Sequence, residues 1–185
     1  FMAANYIRPV CGSNSKILLI SPDSAIQLNH SLLAEFRKVG LHQVVHENIT
    51  FPDNPPDDKL INPVADRAAE TSSIDAAIAR HQDARVVVIA GISPSGVSLQ
   101  KLKVYKLLSE RRPRLIIIGL SNLTDWCAKM IRDGFFDAVI TPDPTRNLPA
   151  ADKIPDNPVE LFAHCFVFIT KDNLQRNMRF FKSRK

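Results

Sequence analysis

The sequence predicts one α/β domain in which a doubly wound parallel sheet of five strands is covered by helices on both faces. Three observations support this fold class. Short apolar runs alternate five times with segments of helical period, which is the pattern of parallel strands joined by crossover helices. The 185 residues suit one large domain with tails. The 45% hydrophobic content is ordinary for a globular protein and rules against wholesale disorder.

The first strand and the first helix are predicted from residues 16–39. Residues 16–20 (KILLI) form a short apolar run followed by Ser-Pro-Asp-Ser, as expected of a buried parallel strand. Ser24 or Asp23 can cap the helix that follows, and Gly40 ends it as a C′ glycine. The inner stripe of this helix is predicted to contain Ile26, Leu28, Leu32, Leu33 and Phe36.

The second strand is predicted at residues 42–49, before an insertion at residues 50–63 that is rich in proline and aspartate. Proline and charge together oppose both helix and sheet, so this insertion is predicted to be an irregular loop. A helix is predicted to resume at residues 64–81. The run RVVVIA at residues 85–90 is the clearest strand of the sequence and is the third in order.

The fourth strand lies between two helices. Residues 99–110 have helical period, and Pro113 stops this helix ahead of the strand predicted at residues 115–120. The next helix is predicted at residues 124–132 and ends before Gly134.

The fifth strand is predicted at residues 137–141 and the last helix at residues 157–169. Asn157 can cap this helix, Pro158 suits its first position, and Glu160 can complete a capping box. The helix is apolar almost all round, whereas a helix that covers one sheet edge needs only one apolar stripe. The additional apolar residues predict that a second side of this helix is also buried.

The two ends of the chain are predicted to lie outside the domain, which we place at residues 15–170. Residues 1–14 are predicted to form an N-terminal tail. Residues 171–185 are predicted to form a basic amphipathic extension, with Leu174, Met178 and Phe181 at helical spacing. Residues 170–185 contain six basic residues and one acidic residue, so they carry the whole net charge of +5. The five basic residues of interest there are Arg176, Arg179, Lys182, Arg184 and Lys185.

Cysteine usage and apolar run length indicate the compartment. Cys11, Cys127 and Cys165 are few and widely spaced, which suits a reducing compartment and predicts a cytoplasmic protein. No apolar run approaches the roughly 20 residues that span a bilayer, and no signal peptide is evident.

His42 and His46, four residues apart on a strand, are about 13 Å apart and cannot share a metal ion. We therefore predict neither a metal nor a cofactor.

Three segments resemble parts of the receiver domain of two-component response regulators. Residues 17–23 (ILLISPD) look like its first strand and acidic turn, residues 90–96 (AGISPSG) like the loop after its third strand, and residues 133–142 (DGFFDAVITP) like its ending. This resemblance implies a flavodoxin-like sheet with the strand order 2-1-3-4-5.

The residues that phosphoryl transfer requires are missing from the matching positions. A receiver phosphorylates an aspartate beside a Mg²⁺ held by carboxylates, with a hydroxyl and a lysine nearby. Here the aspartate position is Ala90 and the lysine position is Thr141, and no aspartate occurs between residues 84 and 124. The vestigial pocket would comprise Ser21, Asp23, Ala90, Gly119, Ser121 and Thr141. The resemblance thus implies a non-phosphorylatable pseudo-receiver that regulates bacterial signalling or assembly by protein contact and is not an enzyme.

Receivers commonly dimerise through their last helices and strand, which here predicts a homodimer through Trp126, Met130, Phe162, Phe166 and Ile169. A longer chain that folds back over the last helix would explain the same apolar surface.

One alternative function is a flavodoxin-like sensor or enzyme that binds a nucleotide or another small molecule through Ser93, Ser95 and Ser121, since open α/β sheets bind ligands at the carboxyl edge. Another alternative is nucleic-acid binding by the basic tail.

Overall fold

A six-stranded sheet forms the centre of the fold. The computed structural model describes residues 2–22, 25–49, 74–91, 113–118, 125–143 and 165–182. The strand order is β2-β1-β3-β4-β5-β6. The first five strands run parallel, whereas β6 is antiparallel to β5. The strands are β1 (Ile17–Pro22), β2 (Val44–Ile49), β3 (Val86–Ala90), β4 (Arg114–Ile118), β5 (Ala138–Pro142) and β6 (Phe166–Ile169).

Helices cover both faces of this sheet. On one face, which we call the first face, α1 and α2 share an apolar cluster with Ile17 and Leu19 of β1. On the second face, α3, α4 and α5 pack against Leu18 and Ile20. The residues of each strand alternate between the two faces because the side chains of a strand point alternately up and down. The described helices are α1 (Met2–Cys11), α2 (Ile26–Lys38), α3 (residues 74–80), α4 (Asp125–Arg132) and α5 (Leu174–Lys182).

Two helices end as their glycines predict. At the end of α2, Gly40 adopts a φ of 82° and its N–H donates to Arg37, while the N–H of Leu41 donates to Phe36. At the end of α4, Gly134 has a φ of 77° and the same pair of hydrogen bonds follows. This is the Schellman pattern, which satisfies the last carbonyl groups of a helix.

The α/β class is confirmed, but the five-stranded sheet is wrong because residues 166–169 form a strand and not the predicted last helix. Phe166 and Phe168 lie against the first face, whereas Val167 and Ile169 lie against the second. A strand that is covered on both faces is apolar throughout. For this reason residues 166–169 show no alternation of apolar and polar residues. The segment before residue 165, with the predicted capping box, lies outside the described residues.

The N-terminal residues also differ from expectation. Where a tail was predicted, Met2–Cys11 form α1, whose residues Ala3, Ala4 and Ile7 are buried. Pro9 lies inside this helix. The spacing of the small and apolar residues places them on one side, which packs on the sheet.

The start of α2 differs in detail from the prediction. The cap position is Ala25, which makes no side-chain capping hydrogen bond, and Ser24 and Asp23 lie outside the described residues. Ile26, predicted to be inward, is 60% exposed. The helix therefore begins one or two residues later than the two predicted caps imply, and its buried side starts after its first turn.

At the other end of the chain, α5 packs on the domain. Leu174 is buried in the second-face core and Met178 packs against this core. The apolar side of the predicted amphipathic helix therefore faces the domain. None of the helices in the described ranges combines the length and the apolar character that crossing a bilayer requires.

Candidate functional site

The carboxyl ends of β1, β2 and β3 lie side by side at one edge of the sheet. In β1 the strand ends at Pro22, in β2 at Ile49 and in β3 at Ala90. Ligands of open parallel α/β sheets bind outside this edge. The polar groups that this structure places there therefore define the candidate site.

Ser21 and His46 form a polar contact across two neighbouring strands. The Ser21 Oγ and His46 Nε2 atoms are 2.7 Å apart, which is a hydrogen-bond distance. The strand register pairs Leu19 with His46 and Ser21 with Asn48, so both polar side chains lie on the first face. Ser21 is fully buried and His46 is half-buried. The contact thus introduces two polar groups into a layer that is mostly apolar.

Gly91 brings the end of β3 against the start of α2. Its φ is +72°, and a Cβ atom there would lie 3.2 Å from the Cβ of Ala25 and 3.6 Å from Leu28 Cδ2. Its N–H donates to the carbonyl of Ile118 on the neighbouring strand β4. Glycine is needed here both for the left-handed backbone and for the close approach. The first turn of α2 consequently lies directly over the carboxyl edge.

Asn29 is the third polar residue of this region. It is 2% exposed, and its Oδ1 atom is the one buried side-chain nitrogen or oxygen among the described residues that lacks a hydrogen-bond partner. Asn29 shares the buried side of α2 with Leu32 and Phe36. Such a group costs free energy and in a native protein requires an explanation.

Asn29 on α2 and Ser21 on β1 lie at similar distances from the carboxyl edge of the sheet. One helical turn of about 5.4 Å separates it from Ala25, which is beside Gly91. The same distance corresponds to fewer than two residues of a strand. Asn29 therefore lies within about two residues of the strand ends on the first face, and we call Ser21, Asn29 and His46 the first-face polar cluster.

Two groups of charged residues lie away from this cluster. On the second face, Glu47 accepts hydrogen bonds from Arg80 and His81, joining β2 to the end of α3. These bonds lower the pKa of the Glu47 carboxyl to about 2. At the amino edge, Arg114 Nη1 lies 2.6 Å from Asp137 Oδ1. Both groups connect elements of the fold and lie away from Ser21 and Asn29.

The residues of the predicted phosphoacceptor pocket are only partly described. Ser21 and Ala90 are buried on the first face of adjacent strands, whereas Thr141 is buried on the second face of β5. Thr141 is separated from β3 by β4, so the sheet does not bring it together with the other two. The remaining positions lie outside the described residues: Asp23, Ser93, Ser95, Gly119 and Ser121.

Three residues of the predicted dimer surface are described, and these three do not form one exposed surface. Met130 and Ile169 are buried in the second-face core, at 8% and 0% exposure. Phe166 is half-buried and packs against the opposite face. The reason is the strand at residues 166–169, which points alternate side chains to opposite layers. The side chain of Trp126 and all of Phe162 lie outside the described residues.

The basic C-terminal residues are described in part. Arg176 is exposed on α5. Arg179 and Lys182 belong to the same helix, and Arg184 and Lys185 lie outside the described residues.

The described residues include no group of three or more histidines, cysteines or carboxylates that could hold a metal ion. None of the three cysteines forms a disulfide bond: Cys11, Cys127 and Cys165. Burial raises the pKa of the Cys11 thiol above its ordinary value, which disfavours the reactive thiolate. The cytoplasmic location stays a prediction.

Sequence reasoning missed Asn29 and the pairing of Ser21 with His46. A polar residue at a position of the inner helical stripe was the available signal for Asn29, since Asn29 lies three residues before Leu32. The pairing of Ser21 with His46 depends on strand register, which a single strand does not specify.

The fold is similar to that of sugar-binding proteins of known structure. An arabinose-binding protein, AraP, from Geobacillus stearothermophilus matches 95% of this chain with a TM-score of 0.60 at 13% identity. The fructose-binding periplasmic domain of a hybrid two-component system matches 94% with a TM-score of 0.57 at 14% identity. GanP, a glucose-galactose binding protein from Geobacillus stearothermophilus, matches 94% with a TM-score of 0.54 at 12% identity.

At these identities the similarity establishes the fold alone. The chain spans 60%, 56% and 59% of the lengths of these three proteins, or about three fifths. No protein-family model matches the sequence, and a search of the curated proteins finds no match.

The resemblance to response-regulator receivers is therefore wrong. The structural neighbours are sugar-binding domains, and the sheet has a sixth, antiparallel strand where a receiver-like last helix was predicted. The three matching segments reflect what parallel α/β sheets share: apolar strands, glycine at helix ends and loops at the carboxyl edge. The pseudo-receiver function, which depended on the resemblance, is wrong with it.

Proposed function

We propose that this chain is a small-molecule-binding domain that holds a neutral, hydroxyl-rich ligand of the sugar class at the carboxyl edge of its sheet. The observation that carries this proposal is the match of 95% of the chain to an arabinose-binding protein with a TM-score of 0.60. The role is binding without catalysis. It corresponds to the sensor alternative considered from the sequence, with a sugar in place of a nucleotide.

The chemistry of the carboxyl edge supports a neutral ligand. Ser21 and His46 each offer both hydrogen-bond donor and acceptor capacity, and Asn29 offers an acceptor. A sugar hydroxyl donates and accepts, so it complements these groups. The ion pairs of Glu47 and Asp137 lie elsewhere, on the second face and at the amino edge. Ser21 and Asn29, two of the three residues of the first-face polar cluster, carry no charge, and this favours a neutral ligand.

Thermal unfolding in the presence of candidate ligands tests this function. D-arabinose, D-fructose, D-glucose and D-galactose are added separately, up to millimolar concentrations. A ligand at a hundred times its Kd stabilises the folded state by about 2.7 kcal/mol, so at least one sugar should raise the Tm by several degrees. FMN and ATP form the comparison arm. A rise with FMN or ATP and none with any sugar would replace this proposal with nucleotide binding.

Incubation with the sugar that binds tests the absence of catalysis. NMR spectra of that sugar should stay unchanged after hours with the protein at high concentration. A protein-dependent product would contradict the binding-only role.

A second candidate function is nucleic-acid binding by α5. Leu174 and Met178 pack against the core while Arg176 is exposed, so Arg176 is turned away from these apolar contacts. Truncation is a poor test because Leu174 belongs to the core. Substitution of Arg176 and Arg179 by glutamine should instead reduce the slope of log K against log salt by about 0.9 for each phosphate that the variant no longer neutralises. An unchanged slope would dismiss this candidate.

A further inference from the structure

The unpartnered Oδ1 atom of Asn29 is a polar acceptor enclosed in an apolar layer. The first face around it contains Leu19, Leu32, Phe36 and Val88, all buried. An amide oxygen that is removed from water without a hydrogen bond destabilises the folded state, whereas a leucine of similar size at this position would not. Packing alone therefore gives no reason for asparagine at residue 29.

The position of Asn29 supplies a reason. It lies one helical turn from Ala25, whose Cβ is 3.2 Å from the position of a Cβ on Gly91. Ser21, on the same face of the sheet, lies next to the end of β1 and bonds to His46 on β2. The first two turns of α2 and the strands β1 and β2 thus each place a polar residue on the first face, towards the edge where α/β sheets bind ligands.

We propose that the first-face polar cluster is a subsite for one hydroxyl group of the ligand, and that this hydroxyl donates a hydrogen bond to Asn29 Oδ1. This inference rests on the proposed function and deepens it by naming the residue that recognises the ligand. Asn29 destabilises the ligand-free protein and is satisfied in the complex. Ser21 and His46 complete the polar environment of the same hydroxyl.

Access to this subsite requires movement of α2. Asn29 is 2% exposed, so the ligand reaches it when the first turn of α2 separates from Gly91. The contact there involves only the small residues Ala25 and Gly91 together with Pro22 and Leu28. Amide hydrogen exchange in residues 26–29 should consequently slow when the ligand binds, because the complex fixes this turn.

Asn29→Leu tests the proposal. This variant removes the unpartnered acceptor, so the Tm of the ligand-free protein should rise, while the Tm shift that the wild-type protein shows with its best sugar should disappear. Leu32→Met on the same buried side of α2 is the matched control and should keep the full shift. An Asn29→Leu protein that keeps the wild-type shift would overturn the assignment of Asn29.

Deoxy analogues of the same sugar test the proposal on the ligand side, without depending on whether the variant folds well. Loss of the recognised hydroxyl should weaken binding to the wild-type protein about tenfold, as expected for one hydrogen bond. Equal affinity for the sugar and for every monodeoxy analogue would overturn the subsite. A wild-type protein that responds to none of the four sugars would instead reject the proposed function, together with the ligand role of Asn29.

Discussion

The ring of Tyr6 packs against the ring of Phe168, with centroids 5.0 Å apart and planes inclined at 51°. This contact joins α1, near the start of the chain, to β6, near its end. Neither element was predicted from the sequence. Residues of both elements belong to the apolar cluster of the first face, so the domain includes N-terminal residues that we had expected to lie outside it.

Loss of the Phe168 ring should destabilise the domain. We expect Phe168→Ala to lower the free energy of unfolding by about 2–3 kcal/mol, less than for a fully buried phenylalanine because Phe168 is half-buried. Urea unfolding gives this value. Ile26→Ala is the control, because Ile26 is 60% exposed and should change stability by less than about 0.5 kcal/mol. Equal effects of the two variants would show that α1 does not pack on β6.

Alanine substitutions at Gly91 and Gly40 distinguish two causes of destabilisation. One is the strain of a positive φ, and the other is the close contact of an added Cβ with a neighbouring residue. Both glycines have a positive φ, but a Cβ at Gly40 meets nothing within 4 Å, whereas a Cβ at Gly91 meets Ala25 at 3.2 Å. Gly40→Ala should therefore cost about 1 kcal/mol from the backbone alone. Gly91→Ala should cost at least about 1 kcal/mol more, because the start of α2 has to shift. Chemical denaturation measures both, and equal costs would contradict the close packing of α2 on β3.

The stability that Glu47 contributes should depend on pH. Hydrogen bonds from Arg80 and His81 lower the pKa of its carboxyl from 4.5 to about 2 in the folded protein. The contribution is thus present above pH 4.5 and is lost as the pH falls towards 2. At pH 7 we expect the wild-type protein to exceed Glu47→Gln by about 1 kcal/mol, since the group is partly solvated. The difference should vanish near pH 2, and a constant difference across this range would exclude the ionised pair.

The carboxylate of Asp137 fixes the start of β4. Its Oδ2 accepts a hydrogen bond of 2.9 Å from the N–H of Leu115, and its Oδ1 accepts one from Arg114. Asp137→Ala leaves the Leu115 N–H without this acceptor and should cost about 2 kcal/mol. Asp137→Asn keeps an acceptor oxygen and should cost less. Thermal unfolding ranks the variants, and a reversed order would mean that the contact with Arg114 outweighs the backbone hydrogen bond.

Local signals predicted the helix ends and most strands well. Gly40 and Gly134 mark helix ends because their positive φ values suit glycine alone among common residues. The run at residues 86–90 forms a strand because β-branched residues fill both faces of a parallel sheet. These features depend on neighbours in sequence, so a single amino-acid sequence was enough to place them.

The strand at residues 166–169 shows where local signals failed. Its apolar composition suited a buried helix as well as a strand covered on both faces, and short apolar runs do not distinguish the two. The choice depends on the edge of β5, which offers hydrogen-bonding partners to this segment. Phe166 and Ile169 of the predicted dimer surface were placed on the same helix, so their positions were predicted wrongly as well.

The sequence by itself determined the alternating strands and helices, the glycines that end α2 and α4, and the location of the net charge, because each depends on residues near one another in the chain. Only the tertiary structure decided that the first and last elements meet at Tyr6 and Phe168, that Ser21 bonds to His46, and that Asn29 is enclosed without a partner. These relationships arise when distant segments pack on a common sheet, and strand register and helix placement over that sheet set them.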